Sequence, residues 1–281
     1  DNMHDIHTYY DICAWSPDGR KIAFSSMLRR DMPDDKGTYN QRGALFVMDA
    51  DGSNIECMTE EVDQSVHTGC MPIWKDSNTI IYRAKGHTRI LNIKTQEITE
   101  LEGVLSRTLN PDGSKIACQY AAQSEERGIV VVDLNDFSRE TILTSEDVTE
   151  VMLDSFNRDE RMPDMGHENM YPVLANIKWN STGDKLLFRF NYTPPGQYLK
   201  SLFVVNPDGT GLKRLKLVFP HYGHPSWHPD GERILLCDQN EQDKGRLYYL
   251  VDKEGFNREV LCKTAFGGHP LFNAQGTEIV D

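Results

Sequence analysis

Short apolar runs recur along the chain, each broken by a polar turn and then resumed. Six segments share one frame, Ala14–Phe24, Ile73–Tyr82, Thr108–Cys118, Lys178–Phe188, Ser226–Leu236 and Leu271–Val280. In each, a large anchor residue closes an apolar run, a turn follows, and a β-rich run begins. The anchors are Trp15, Trp74, Leu109, Trp179, Trp227 and Phe272. The fullest turns are Ser16-Pro17-Asp18-Gly19 and His228-Pro229-Asp230-Gly231. There Pro presets φ, Asp bonds the local backbone, and Gly supplies the positive φ. The unit therefore reads as a β-hairpin. A second hairpin follows in most copies, as in Leu45–Gly52 leading to Ile55–Met58 and Leu202–Gly209 leading to Leu212–Leu215. Ile129–Val132 and Leu247–Val251 play the same part.

Four strands per unit, repeating at intervals of about 35 to 70 residues, describe the blades of a propeller. The pattern predicts an all-β fold, a single β-propeller domain over residues 1–281 built of four-stranded blades. About five and a half blades are present, since the last copy stops inside its second strand. An unpaired blade would expose its apolar face, so the expectation is a fragment of a six- to eight-bladed propeller. Between Leu109 and Trp179 lies an insert, about 145–171, that is charged and contains Met162-Pro163-Asp164-Met165-Gly166-His167. It reads either as a solvated loop or as a rim loop that covers a site.

Composition narrows the function classes. Lys plus Arg number 30 against 43 Asp plus Glu, a net charge of −13 that should repel phosphate backbones and argues against nucleic-acid binding. No apolar run approaches the ~20 residues that span a bilayer. None of the six cysteines forms a CxxC pair, so a zinc ribbon is not expected. Cys118 and Cys237 sit in apolar strands and read as small buried hydrophobes. Scattered free cysteines favour a reducing, cytoplasmic compartment. A leader already removed would instead place the protein in the periplasm or outside the cell.

The histidines follow the repeat. Three residues before the anchors stand Ile12, Met71, Ser106, Asn176, His224 and His269. This position falls on the first strand of each blade, the one that lines a propeller axis, so His224 and His269 should converge from consecutive blades. His221 lies three residues upstream of His224, and His7, His67 and His167 also precede their strands. A ring of ligands can be built this way without close spacing in sequence. His221, His224 and His269 are therefore the candidate ligands of a divalent cation such as Mn²⁺, Ca²⁺ or Zn²⁺. Neutral imidazole is the binding form, so affinity should fall as pH drops through ~6.5. The alternative is a His-Pro turn in which each imidazole caps a backbone carbonyl. His228, in a turn, is expected on the surface, and His87 at a hairpin tip.

The Trp-Ser-Pro-Asp-Gly-x-x-Ile-Ala-Phe frame of residues 15–24 resembles the TolB-type, WD40-like propeller repeat, and the resemblance covers nearly the whole chain. It implies the fold and leaves the function open, since such propellers serve scaffolds, peptidase gates and lyases alike. His221-Tyr222-Gly223-His224-Pro225-Ser226-Trp227 and Gly267-Gly268-His269-Pro270-Leu271-Phe272 resemble the His-Pro-rich blades of oligogalacturonate-lyase-like propellers. Those enzymes cleave uronate oligosaccharides by β-elimination and hold a divalent metal with histidines and a glutamine. The clustered Gln-x-x-His-x-His arrangement is absent here, and Ser226 stands where a second histidine would be expected.

What this second resemblance implies is a carbohydrate-active lyase with an acidic oligosaccharide as its substrate. Such a reaction needs a cation at the carboxylate, a base for the C5 proton and an acid for the leaving oxygen. Arg107 or Arg189 could pair with the carboxylate, and Tyr171 or Tyr222 could act as acid or sugar platform. The rival reading is a non-catalytic TolB-type propeller that binds a protein or peptide across its channel. No Gly-x-Ser-x-Gly elbow, P-loop or dinucleotide fingerprint occurs, so neither a serine peptidase nor an organic cofactor is expected.

Overall fold

A computed structural model describes residues 3–6, 9–28, 40–65, 68–121, 124–155, 173–192, 199–217, 224–239, 246–264 and 268–280. They form five four-stranded sheets and one two-stranded sheet, and within each the strands lie side by side in chain order. The first sheet holds β1 (Met3–Ile6), β2 (Lys21–Leu28), β3 (Asn40–Asp49) and β4 (Glu56–Gln64). The second holds β5 (Ile73–Asp76), β6 (Thr79–Ala84), β7 (His87–Asn92) and β8 (Ile98–Leu101), and the third β9 (Val104–Leu109), β10 (Lys115–Tyr120), β11 (Gly128–Asp133) and β12 (Arg139–Thr144). Helix α1 (Ser145–Ser155) leads to the fourth sheet, β13 (Val173–Trp179), β14 (Leu186–Tyr192), β15 (Leu199–Val205) and β16 (Lys213–Arg214). The fifth is β17 (Ser226–Trp227), β18 (Arg233–Gln239), β19 (Arg246–Asp252) and β20 (Glu259–Thr264), and the pair β21 (Leu271–Phe272) and β22 (Ile279–Val280) ends the chain. No helix among the described residues is long and apolar enough to cross a membrane.

The turns work as the sequence requires. Ser16 Oγ donates to Asp18 Oδ1 at 2.7 Å and accepts from Lys21 N at 2.9 Å, while Gly19 takes φ 69°. Asn180 does the same work in the fourth sheet, where its Oδ1 accepts from Asp184 N and Lys185 N. Gly209, at φ 82°, is needed twice over: a Cβ there would stand 2.2 Å from the Ile142 carbonyl oxygen of β12.

The chain divides into two compact units. One is Asp1–Leu109 with Cys118–Glu125 and Asp133–Ser138, and its core joins Ala23, Leu45, Val47 and Val62 of the first sheet to Trp74, Ile80, Tyr82 and Leu91 of the second. The other holds Asn110–Ala117, Glu126–Val132 and Arg139–Asp281. Its cores follow the two-residue alternation of β14 and β15. Leu186, Phe188, Phe190, Phe203 and Val205 face one way, onto Ala117, Ile129 and Val131. Leu187, Leu202 and Val204 face the other, onto Ile234, Leu236, Tyr249 and Val251.

Two of the anchors, Trp74 and Trp227, tie their sheets to the one before, whereas the Trp179 Nε1 is buried with no hydrogen-bond partner. Trp74 Nε1 donates to the Ala14 carbonyl at 2.8 Å, and Trp227 Nε1 donates to that of Lys178 at 3.1 Å. Both acceptors immediately precede an anchor. Trp15, by contrast, is 46% exposed. Trp74→Phe removes a buried hydrogen bond and packing volume, and should lower stability by about 1–2 kcal/mol. Trp15→Phe should stay within about 0.5 kcal/mol of the parent. Denaturation midpoints of the two variants check the contrast.

Two expectations need correction. Residues 145–155 of the insert are a helix, not a loop. Thr144 and Asp147 cap it reciprocally, through Thr144 N and Oγ1 to Asp147 Oδ2 and Asp147 N to Thr144 Oγ1. Val148 and Met152 then bury their side chains in the core of the second unit. The rest of the insert lies outside the described residues. His228 is buried, not on the surface: its ring meets Phe272 edge-on at 4.5 Å, and its Nδ1 accepts from Asp230 N at 3.1 Å.

Candidate functional site

The position three residues before each anchor supplies the centre of the candidate site. His224 leads into β17 and His269 into β21, and their ring centroids stand 3.9 Å apart with planes tilted by 39°. Both histidines are followed by a proline whose carbonyl is held by the sheet before it. Lys178 Nζ donates to Pro225 O at 2.6 Å, and Ser226 Oγ donates to Pro270 O at 3.1 Å. These pins fix the His-Pro segments, which have little strand pairing of their own. The equivalent residue of β13 is Asn176, at φ 52° in a bulge where the pairing with β14 shifts between Ala175 and Lys178. A bulge re-aims a side chain, and the Asn176 Nδ2 is buried with no hydrogen-bond partner.

Burial lowers the pKa of His224 to about 4, and the positive charge of His269, Arg189 and Lys178 adds to the effect. The imidazole therefore stays neutral well below the ~6.5 of a free histidine. Arg189, on β14, pairs with Ala175 of β13 on one side and Leu202 of β15 on the other. Its Nε is buried without a hydrogen-bond partner.

The repeat provides an internal control for this arginine. Arg83 on β6 holds the same place relative to its anchor: Trp74 pairs with Ile80 as Trp179 pairs with Leu186, and each arginine lies three residues further on. Arg83 is 1% exposed and donates through Nε to the Ser106 carbonyl at 3.0 Å, so it serves structure. Arg189 makes no such bond through Nε. A buried donor left open costs free energy unless something fills it.

Arg107 belongs to the first unit, where its Nε donates to Gln119 Oε1 at 3.0 Å. Tyr171, Tyr222 and His221 lie outside the described residues, as do His7, His67 and His167. His87 stands at the β6–β7 hairpin and accepts from Gly103 N at 2.9 Å. Cys118 and Cys237 are buried, and burial pushes the Cys70 thiol up to about 12, which removes it as a nucleophile.

Sequence reasoning missed Asn191 and Lys200, which extend the group along the same face of the fourth sheet as Arg189. The available signal was the interleaving of Arg189 and Asn191 with the core residues Phe188 and Phe190.

Imidazole nitrogens suit a transition-metal ion in donor type. Among the described residues, no group of three or more His, Cys, Asp or Glu side chains joins them. The surrounding charges are cationic, which suits an anion. The site can thus neutralise a carboxylate, with His224 supplying a neutral nitrogen donor beside it.

No family model matches the chain, and no curated protein matches its sequence. Solved structures do. An oligogalacturonate lyase in complex with manganese aligns at 16% identity over 98% of this chain and 70% of that one, with a TM-score of 0.67. A prolyl endopeptidase aligns at 13% identity over 95% of this chain and 36% of that one, with a TM-score of 0.55. The putative TolB from Agrobacterium tumefaciens aligns at 15% identity over 92% of this chain and 81% of that one, with a TM-score of 0.46. The chain has the fold of a β-propeller of four-stranded blades, with a repeat that resembles the TolB type.

Proposed function

We propose that the protein is a lyase acting on uronate-containing oligosaccharides by β-elimination. The observation that carries this reading is the meeting of His224 and His269 beside Arg189. In the reaction the C5–H and C4–O bonds break and the C4=C5 double bond forms. The C5 proton passes to a base, and the leaving oxygen takes a proton from an acid. Arg189 serves as the fixed positive charge at the substrate carboxylate, where negative charge spreads as the proton leaves. His224, held neutral by burial, offers a lone pair to a cation or to the C5 proton. Tyr171 and Tyr222 remain the candidates for the acid. In the metal form of the proposal, His224, His269 and His221 would hold a divalent ion such as Mn²⁺, which would supply further positive charge at the carboxylate.

Activity is tested against pectic, ulvan-like and other uronate oligosaccharides, with metals supplied, by the ultraviolet absorbance of the unsaturated product. Product should form, and Arg189→Gln should cut kcat/KM by about two to three orders of magnitude. A flat panel overturns the lyase reading and favours the TolB-type, protein-binding one. Elemental analysis beside His224→Ala and His269→Ala separates the two uses of His224. Metal lost in both variants assigns the pair to a cation; a metal-free parent that is active assigns His224 to the proton.

A further inference from the structure

The fourth sheet carries more polar chemistry than the elimination uses. Its β14 and β15 are antiparallel, with Asn191 opposite Lys200 and Arg189 opposite Leu202. Opposed residues share a face, as do residues two apart on one strand. Arg189, Asn191 and Lys200 therefore lie in one patch. It continues the row of Leu187, Leu202 and Val204 that packs on the fifth sheet.

Polar groups at the end of a buried row are expensive unless they are used. Asn191 is 8% exposed, and its Oδ1 is buried with no hydrogen-bond partner. The Arg189 Nε is buried and open as well. Lys200 stands beside them, close enough to Arg189 for the two charges to oppose each other. Two cationic donors and one open acceptor make a defined set. An anion made only of acceptor oxygens, such as sulfate, leaves the Asn191 oxygen unfilled. A ligand with a carboxylate and a neighbouring hydroxyl fills all three.

We propose that Arg189, Asn191 and Lys200 form a hydroxy-acid subsite that selects sugars bearing a free carboxylate, with Lys200 as a specificity-determining residue. This rests on the uronate reading of the histidine site and adds to it the group that distinguishes acidic from esterified or neutral units. The Arg189 and Lys200 charges hold the carboxylate, and the Asn191 oxygen accepts from a ring hydroxyl.

Monomeric galacturonate is the probe, because it has no glycosidic bond to cleave. Calorimetry should show it binding the parent, with galactose and galacturonate methyl ester binding at least about tenfold more weakly. Lys200→Gln should raise the Kd for galacturonate about tenfold or more and leave that for galactose unchanged. Lys200→Arg keeps the charge and should restore most of the affinity, which excludes misfolding as the cause. Asn191→Ala should weaken galacturonate while leaving acetate unaffected. Equal affinity for galacturonate and galactose, no galacturonate binding at millimolar concentration, or a Lys200→Gln variant with parental Kd overturns the subsite. The two proposals fail separately. Galacturonate binding that depends on Lys200, with no product on any oligosaccharide, removes the lyase and keeps the subsite. Elimination with an unchanged KM in Lys200→Gln keeps the lyase and removes the subsite.

Discussion

Phe203→Ala is expected to lower the unfolding free energy of the second unit by about 3–5 kcal/mol. Phe203 is fully buried on β15, stacked on Phe188 at 5.5 Å and edge-on to Phe190 at 6.3 Å. Truncation removes the transfer free energy of a whole ring and leaves a hole that two rings on β14 border. Those rings sit on a four-stranded sheet whose register Leu186↔Val205 to Tyr192↔Leu199 runs without a shift. They have little freedom to move inward, so the cost belongs at the upper end of the usual range. The loss of two aromatic contacts adds to it. Phe46→Ala is the comparison. Phe46 also stacks, on Phe24 at 5.4 Å, but its side chain is only half-buried, so water can take up part of the space. Its loss should be about half as large. Guanidinium titration of both variants, read by midpoint at constant slope, checks the order. Equal losses would mean that the core of the second unit repacks around the hole.

The blade frame was legible because its physics is local. A large apolar anchor, a Pro-Asp-Gly or Asn-centred turn and a β-branched run act within about a dozen residues. Each anchor from Trp15 to Phe272 leads into such a turn, with the Asp18, Asp112 and Asp230 carboxylates bonding the backbone two residues on. The position three residues before the anchor was also legible, since one repeat places residues alike in every sheet. That is why His224 and His269 could be paired from sequence across 45 residues.

What escaped depends on contacts from elsewhere in the chain. Helix α1 was missed because its cap pairs Thr144 with Asp147, a less common form of the capping box, and because Val148 and Met152 are a short apolar stripe in a charged segment. His228 was misplaced because a turn position is usually exposed. Here Gly276 and Phe272 of the next hairpin cover the ring, and a Cβ on Gly276 would stand 2.9 Å from it. The different uses of Arg83 and Arg189 were invisible for the same reason. Both hold the same place in the repeat, and only the presence of the Ser106 carbonyl beside one of them tells them apart.

The cost of the Lys200 charge gives the second large effect, and it depends on pH. Burial, with help from the Arg189 charge, lowers the Lys200 pKa from 10.5 to about 8. Between those two values the unfolded chain holds a proton that the folded chain has released. Stability therefore rises with pH across this window, by on the order of 3 kcal/mol for a shift of this size. Below pH ~8 the folded protein carries the charge, and the penalty is fully present. Lys200→Met removes the charge and keeps much of the packing volume. It should stabilise the protein at pH 7, and its advantage over the parent should shrink as pH climbs towards 10.5. Parent and variant share every other ionisable group, Lys253 among them, which is raised by its hydrogen bond to Glu232. The difference between parent and variant cancels these common contributions, so the measurement is the pair of denaturation curves at each pH. A constant difference from pH 7 to pH 10.5 would mean that Lys200 keeps an ordinary pKa and costs the fold little. A closing difference would mean that the fold tolerates a charge which weakens it, at the place where an acidic sugar would use that charge.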